Sequence, residues 1–213
     1  MDKKDKQTCL LFLMLKMIKN YEINIYDEIK NRVFILIISH SKLSKKEELF
    51  LTKKNSFALI KNINNYIKYK HVNNVIIDCK NNTYIKNDIF SYSEIENLFL
   101  PKQINNLSAF CFNTSHITNI NLENVLILNQ NCFQNCYYLN EITLSKNMLQ
   151  LDNEVFLNCA NLRTVIFPEN SNLINIKNGA FRNCINLKKI NIPDSVNEIE
   201  TGNEIMADNF IYI

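Results

Sequence analysis

A chain of 213 residues that is 46% hydrophobic and 21% charged suits one elongated domain or a repeat array with a small cap, and is no disordered polyelectrolyte. It has only two glycines and three prolines, so glycine-loop folds are hard to build from it. The net charge of +3 is unevenly placed: residues 1–70 hold 15 Lys/Arg against 7 Asp/Glu, residues 71–213 hold 9 against 14. A basic head on an acidic body is read either as a nucleic-acid or membrane contact or as a solvated, lysine-rich cap. We adopt the cap and expect no nucleic-acid partner.

In chain order, Lys3, Lys4 and Lys6 before Cys9–Leu15 have the outline of a secretion signal. Asp2, Asp5, Lys16 and Lys19, and the lack of an A-x-A-like cleavage site, go against it. The apolar runs Cys9–Leu15 and Val33–Ile38 fall far short of the ~20 residues that span a bilayer, so no membrane span is expected. Val33–Ile38 is predicted as a strand. Two short helices are predicted after it. Ser44-Lys45-Lys46-Glu47 has capping-box spacing before Leu49, Phe50 and Leu51. Ser56 precedes Phe57, Leu59, Ile60, Ile63, Tyr66 and Ile67 at near-helical spacing. Residues 1–70 are a partly helical cap or a separate binding module.

From residue 72 the chain resembles itself. Apolar triplets begin at Val72, Ile95, Ile117, Leu139, Leu162 and Leu187, in steps of 23, 22, 22, 23 and 25. Each triplet has its second and third members at +3 and +5, as in Leu139, Ile142 and Leu144. Such an L-x-x-I-x-I segment is a short strand with three side chains turned inward. A second apolar pair follows in each return segment: Ile104/Leu107, Val125/Leu128, Met148/Leu151, Leu173/Ile176 and Val196/Ile199. Phe133, Phe156 and Phe181 each precede a Cys by three residues and a Leu by six. In the rung before them Phe110 or Cys111 takes the Phe slot, and Asn113 takes the Cys slot. Pro101, Pro168 and Pro193 end three strands, since proline has no N–H for a ladder. Asn178-Gly179 offers a turn with positive φ.

Residues 178–196, Asn-Gly-Ala-Phe-Arg-Asn-Cys-Ile-Asn-Leu-Lys-Lys-Ile-Asn-Ile-Pro-Asp-Ser-Val, closely resemble the BspA-like leucine-rich repeat. The resemblance implies an α+β solenoid: a leucine-rich repeat array at 71–213 with a parallel β ladder, and an N-terminal, partly helical cap at 1–70. It also implies a non-catalytic protein-binding scaffold, with surface adhesion or host interaction as its role and the cell surface or exterior as its place. Seven cysteines without a disulfide plan keep an intracellular scaffold open. A catalytic site off the repeat register is the most distant reading.

Little in the sequence suggests chemistry. His40, His71 and His116 lie in unrelated contexts. No phosphate-loop, dinucleotide or nucleophile-elbow motif occurs. Cys132 and Cys136 have a zinc-pair spacing, yet no second pair follows. Cys136, Cys159 and Cys184 share one repeat slot and are predicted buried, reduced and metal-free, with no cofactor. Asn81, Asn106 and Asn113 head N-x-[ST] sequons, which a chain this rich in Asn contains by composition alone.

The expected contact surface is the outward face of the strands. Its +4 stripe is Ile76, Phe99, Asn121, Thr143, Ile166 and Asn191. Its +2 stripe is Asn74, Asn97, Asn119, Glu141, Thr164 and Lys189. A seventh rung is predicted with Phe210 in the first position and Ile213 at +3. The apolar run Phe210, Ile211, Tyr212 and Ile213 would leave an open edge there. It favours self-association through this end, or fraying after Ile199.

Overall fold

The structure is a computed structural model that describes residues 57–60, 73–77, 82–188, 190–202 and 210–212. The Val33–Ile38 strand and the Ser44–Glu47 capping box lie outside the described residues. All described residues belong to the unit Lys53–Ile213.

That unit is a parallel β-solenoid with two strand columns. The front column holds β1 (Phe57–Ile60), β2 (Asn74–Ile77), β4 (Asn97–Phe99), β6 (Asn119–Ile120), β8 (Glu141–Thr143), β10 (Thr164–Ile166), β12 (Ile190–Ile192) and β14 (Phe210–Tyr212). The return column holds β3 (Tyr84–Ile85), β5 (Asn106–Leu107), β7 (Ile127–Leu128), β9 (Gln150–Leu151), β11 (Asn175–Ile176) and β13 (Glu198–Ile199). Each front strand from β2 to β12 falls on a predicted triplet. Each return strand from β5 to β13 ends on the second member of a predicted apolar pair. Pairing follows the period, with Asn74, Asn97 and Asn119 opposite one another and Glu141 opposite Thr164. Inside, Val75, Leu98, Ile142, Val165 and Ile190 are buried from the front and Ile85, Leu107, Leu128, Leu151 and Ile176 from the back. A rung alone would leave those apolar side chains in water; stacking buries them in one core.

No helix occurs among the described residues. The return segments from one pair member to the next are three residues long, too short for a helical turn to close and propagate. The described array is therefore β and turn, and the helical part of the expectation falls on residues outside it. The start of one predicted helix is corrected: Phe57–Ile60 is a strand, paired residue for residue with Asn74–Ile77, while Ile63, Tyr66 and Ile67 lie outside the described residues. Four consecutive apolar residues do not distinguish the two periods, and the open edge of β2 decides for the strand.

The corners are built around a stack of aromatic rings. Phe90, Phe112, Phe133, Phe156 and Phe181 lie one above another, with centroids 5.3, 5.1, 5.4 and 5.5 Å apart. All five are fully buried. This corrects the slot assigned to Phe110 or Cys111, which Phe112 takes. The Cys slot three residues on is then Ser115, and not Asn113. In this rung and the one before, Phe precedes the first triplet residue by five positions, where later rungs have six. A fixed offset therefore points to the wrong residue. Each Phe is flanked, two residues before and two after, by a left-handed residue. These are Asp88 and Tyr92, Phe110 and Thr114, Asn131 and Asn135, Glu154 and Asn158, and Gly179 and Asn183. The reversal aligns Phe N–H groups with the next rung: Phe112 donates to the carbonyl of Cys132 and Phe156 to that of Ala180, both at 2.8 Å.

The return column is one continuous six-stranded sheet, whereas among the described residues the front pairs in three parts: β1-β2-β4-β6, β8-β10 and β12-β14. Both interruptions coincide with changes in rung length. Between β6 and β8 the corner lengthens from five residues to six. Before β12 the loop after β10 is longer, with six residues from Phe167 to Leu173 against four from Leu144 to Met148. At the far end β14 pairs with β12, Phe210 opposite Ile190 and Tyr212 opposite Ile192. Phe210 thus stands at +3 and not in the first position, because this rung closes in 20 residues from Ile190 and not in 23.

Candidate binding face

Alternation along each front strand turns the +2 and +4 side chains away from the core. At +2 the asparagines satisfy one another: Asn97 donates to the Oδ1 of Asn74 at 2.9 Å, and Asn119 to that of Asn97 at 2.8 Å. Beside them Asn73 donates to a Glu96 carboxylate oxygen at 2.6 Å. The amides of the first three rungs are therefore tied into the wall. Glu141 and Thr164 continue the stripe and are exposed. Lys189 lies outside the described residues. At +4 the backbone of Ile76 pairs with Phe99, whose side chain is half-buried. Asn121, Thr143, Ile166 and Asn191 are exposed. Asn121 also caps its own turn, accepting the N–H of Glu123 at 2.8 Å.

The cysteines face the other way. Cys136, Cys159 and Cys184 are buried, and each thiol donates to the carbonyl of the stacked Phe one rung back: Phe112 at 3.1 Å, Phe133 at 3.0 Å and Phe156 at 3.1 Å. The slot takes a small buried side chain, and Ser93 and Ser115 fill it in the earlier rungs; Ser115 meets the Cys136 sulfur at 3.7 Å, whereas the Ser93 hydroxyl has no hydrogen-bond partner among the described residues. Cys111 and Cys132 form a second buried column immediately before Phe112 and Phe133. All five described cysteines are unpaired. Burial pushes the Cys159 thiol well up, with the Cys136 thiol adding to the effect, and it pushes Cys184 up to about 12. Burial, then the neighbouring Cys132, does the same for Cys111. Groups held this far from ionisation are packing elements and poor nucleophiles.

Sequence reasoning missed three surface features. An asparagine ridge runs along the corners, Asn183 donating to Asn158 and Asn158 to Asn135, both at 2.8 Å. Each of these residues is left-handed, at φ 58 to 61°. Asn158→Ala is expected to cost about 2 kcal/mol, the ladder bonds plus the left-handed strain of a Cβ without a local partner. Asn158→Gly is expected to cost about half that, because only the bonds are lost. Equal urea midpoints for the two variants would remove the backbone argument. The second feature is an apolar stripe on the return sheet, where Leu126, Ile127, Leu149 and Ile174 are 39, 44, 56 and 40% exposed. The third is a groove between the loops after β10 and β12, whose only sign in sequence is the 25-residue step.

The stacked parallel rungs, inward Leu/Ile triplets and Phe-Cys corners define a leucine-rich repeat solenoid. The model of the BspA type leucine-rich repeat region matches in six copies over residues 61–174 and 170–203, and the chain belongs to this family. The crystal structure of a leucine rich cell surface protein from Faecalibacterium prausnitzii is similar, with a TM-score of 0.52 and 22% identity. The match covers 68% of this chain and 39% of that one, so this chain spans well under half of that protein's length. At this identity the likeness shows the fold. No curated protein matches the chain. Among the described residues no helix is long and apolar enough to cross a membrane.

Proposed function

We propose that this chain is a non-catalytic, protein-binding repeat scaffold that works at a cell surface in adhesion or host interaction, and that it binds through the front strand face. The observation that carries the reading is the outward stripe of Asn121, Glu141, Thr143, Thr164, Ile166 and Asn191, all exposed on the front of four successive rungs. These side chains are in register and mostly free of structural duty, whereas the amides of Asn74, Asn97 and Asn119 are spent on each other. The solved relative's description as a cell surface protein supports the location. Residues 71–213 act as the binding array, and residues 1–70 as its cap.

Beads coated with the chain are expected to bind cultured epithelial cells or immobilised matrix proteins. The double substitution Asn121→Arg/Thr143→Arg is expected to reduce that binding at least tenfold with unchanged circular dichroism. Loss on Leu149→Arg or Ile174→Arg instead would move the interface to the return sheet and overturn the front-face reading.

The five buried, unpaired thiols favour a second reading, an interaction scaffold inside the cell, where thiols stay reduced. Imaging a tagged copy in its own cell separates the two: surface labelling by an impermeant antibody supports the first, and label confined to the interior supports the second.

A further inference from the structure

We propose that the groove between the loops after β10 and β12 is a binding site for a lysine or arginine side chain on an extended segment of a protein partner. This rests on the protein-binding reading above and names the partner's chemistry. The groove is an open depression of about 680 Å³, and its lining includes Ile166, Phe167, Pro168, Glu169, Pro193 and Asp194. It arises where the array departs from its period. The loop after Phe167 is two residues longer than the one after Ile192, counted to Leu173 and to Val196.

Ile166, Phe167, Pro168 and Pro193 give it an apolar wall, Glu169 and Asp194 an acidic rim, and Thr164, Asn170, Ser171, Asn191 and Ser195 also line it. Ile166 is 38% exposed at the entrance, and Phe167, Pro168 and Pro193 continue the apolar lining. The two prolines contribute no N–H to it. Glu169 and Asp194 follow them at equivalent positions in consecutive rungs. Both are exposed, and among the described residues neither has an ion pair. Their neighbours differ: Asp152 is paired with Lys177 at 3.6 Å, and Glu154 with Arg182. Arg163 also lines the groove, and among the described residues it forms no ion pair with Glu169 or Asp194. Lys146, on the loop of the preceding rung, does not line the groove.

Two unpaired carboxylates at the mouth of an apolar channel match a side chain with an alkyl stem and a cationic head. They fit a bare metal ion less well. Among the described residues no group of three or more His, Cys, Asp or Glu side chains comes together to hold one. The apolar wall would also have nothing to contact.

The test uses the full chain and acetylated, amidated pentapeptides of alanine that differ only at the central residue: lysine, arginine, norleucine or glutamate. Fluorescence polarisation of labelled peptides is expected to rank lysine and arginine at least tenfold tighter than norleucine, with glutamate weakest. Raising the salt should narrow the difference. The exposed pair Glu169→Gln/Asp194→Asn should erase the preference for the cation while leaving the thermal midpoint unchanged. Norleucine binding as tightly as lysine, or a cation preference that survives the double substitution, overturns the proposal. The two readings fail separately. Retained cell binding by Asn121→Arg/Thr143→Arg sinks the face alone, and a lysine peptide that ignores Glu169 and Asp194 sinks the groove alone.

Discussion

Phe133→Ala is expected to lower the unfolding free energy by about 3–5 kcal/mol, the usual cost of removing a buried aromatic ring. The upper part of that range applies, because Phe133 is the middle ring of five. It stacks on Phe112 at 5.1 Å and on Phe156 at 5.4 Å, so its loss leaves a void with a rigid ring on either side. Neither neighbour can collapse into the space without leaving its own rung. The stability of a solenoid is close to a sum of rung and interface contributions. Cutting the central interface is therefore expected to broaden the urea transition as well as shift it, as the two halves uncouple. A paired control identifies the slot. Phe112 is fully buried in the stack, whereas Phe110 is half-buried and outside it. Phe112→Ala should match Phe133→Ala, and Phe110→Ala should cost about 1 kcal/mol or less. The reverse order of urea midpoints would show that the corner register is wrong.

The second large effect is a loss of stability in alkali. A thiol that is neutral in the fold but free to ionise in the unfolded chain links stability to pH. For Cys184 the folded value is raised to about 12 from an ordinary 9.0. Below pH 9 both states keep the proton, and the stabilisation is fully present. Between 9 and 12 the unfolded chain releases the proton while the fold retains it, so stability falls as pH rises. The difference between 9.0 and about 12 corresponds to roughly 4 kcal/mol for this one group by the end of that window. Cys111 and Cys159 are raised in the same direction and add to the slope. The chain is therefore expected to lose its thermal midpoint steeply above pH 9, and Cys184→Ala should flatten the slope while lowering stability at neutral pH. In native protein at pH 8 these thiols should react with iodoacetamide far more slowly than in urea. A midpoint unchanged between pH 8 and 11, or prompt labelling of folded protein, would count against buried, neutral thiols.

The sequence by itself determined the array. Six triplets at steps of 22 to 25 residues could be read without coordinates, because each rung must present the same inward side chains to the rung above and below. The front strands from β2 to β12, the inward apolar pairs of the return segments, the buried Cys slot and the Phe slot of the last three rungs followed from that; that those pairs form a second column of strands did not. Chemical equivalence hid the earlier corners. Ser93 and Ser115 occupy the small buried slot that cysteine fills in later rungs, and a corner one residue shorter moved the apparent Phe slot from Phe112 to Phe110. The tertiary structure alone decided matters set by neighbours in space. Phe57–Ile60 is a strand because β2 offers it an edge, and Phe210 lies opposite Ile190 because the last rung is short. Asparagine at 74, 97 and 119 can be read from the chain, but whether those amides are free or closed on one another depends on a register of about 4.8 Å between rungs. An insertion of two residues after Phe167 was countable in the sequence. Its consequence, an apolar groove with two unpaired carboxylates on its rim, exists only once the stack is rigid enough that the extra chain has nowhere to go but outward.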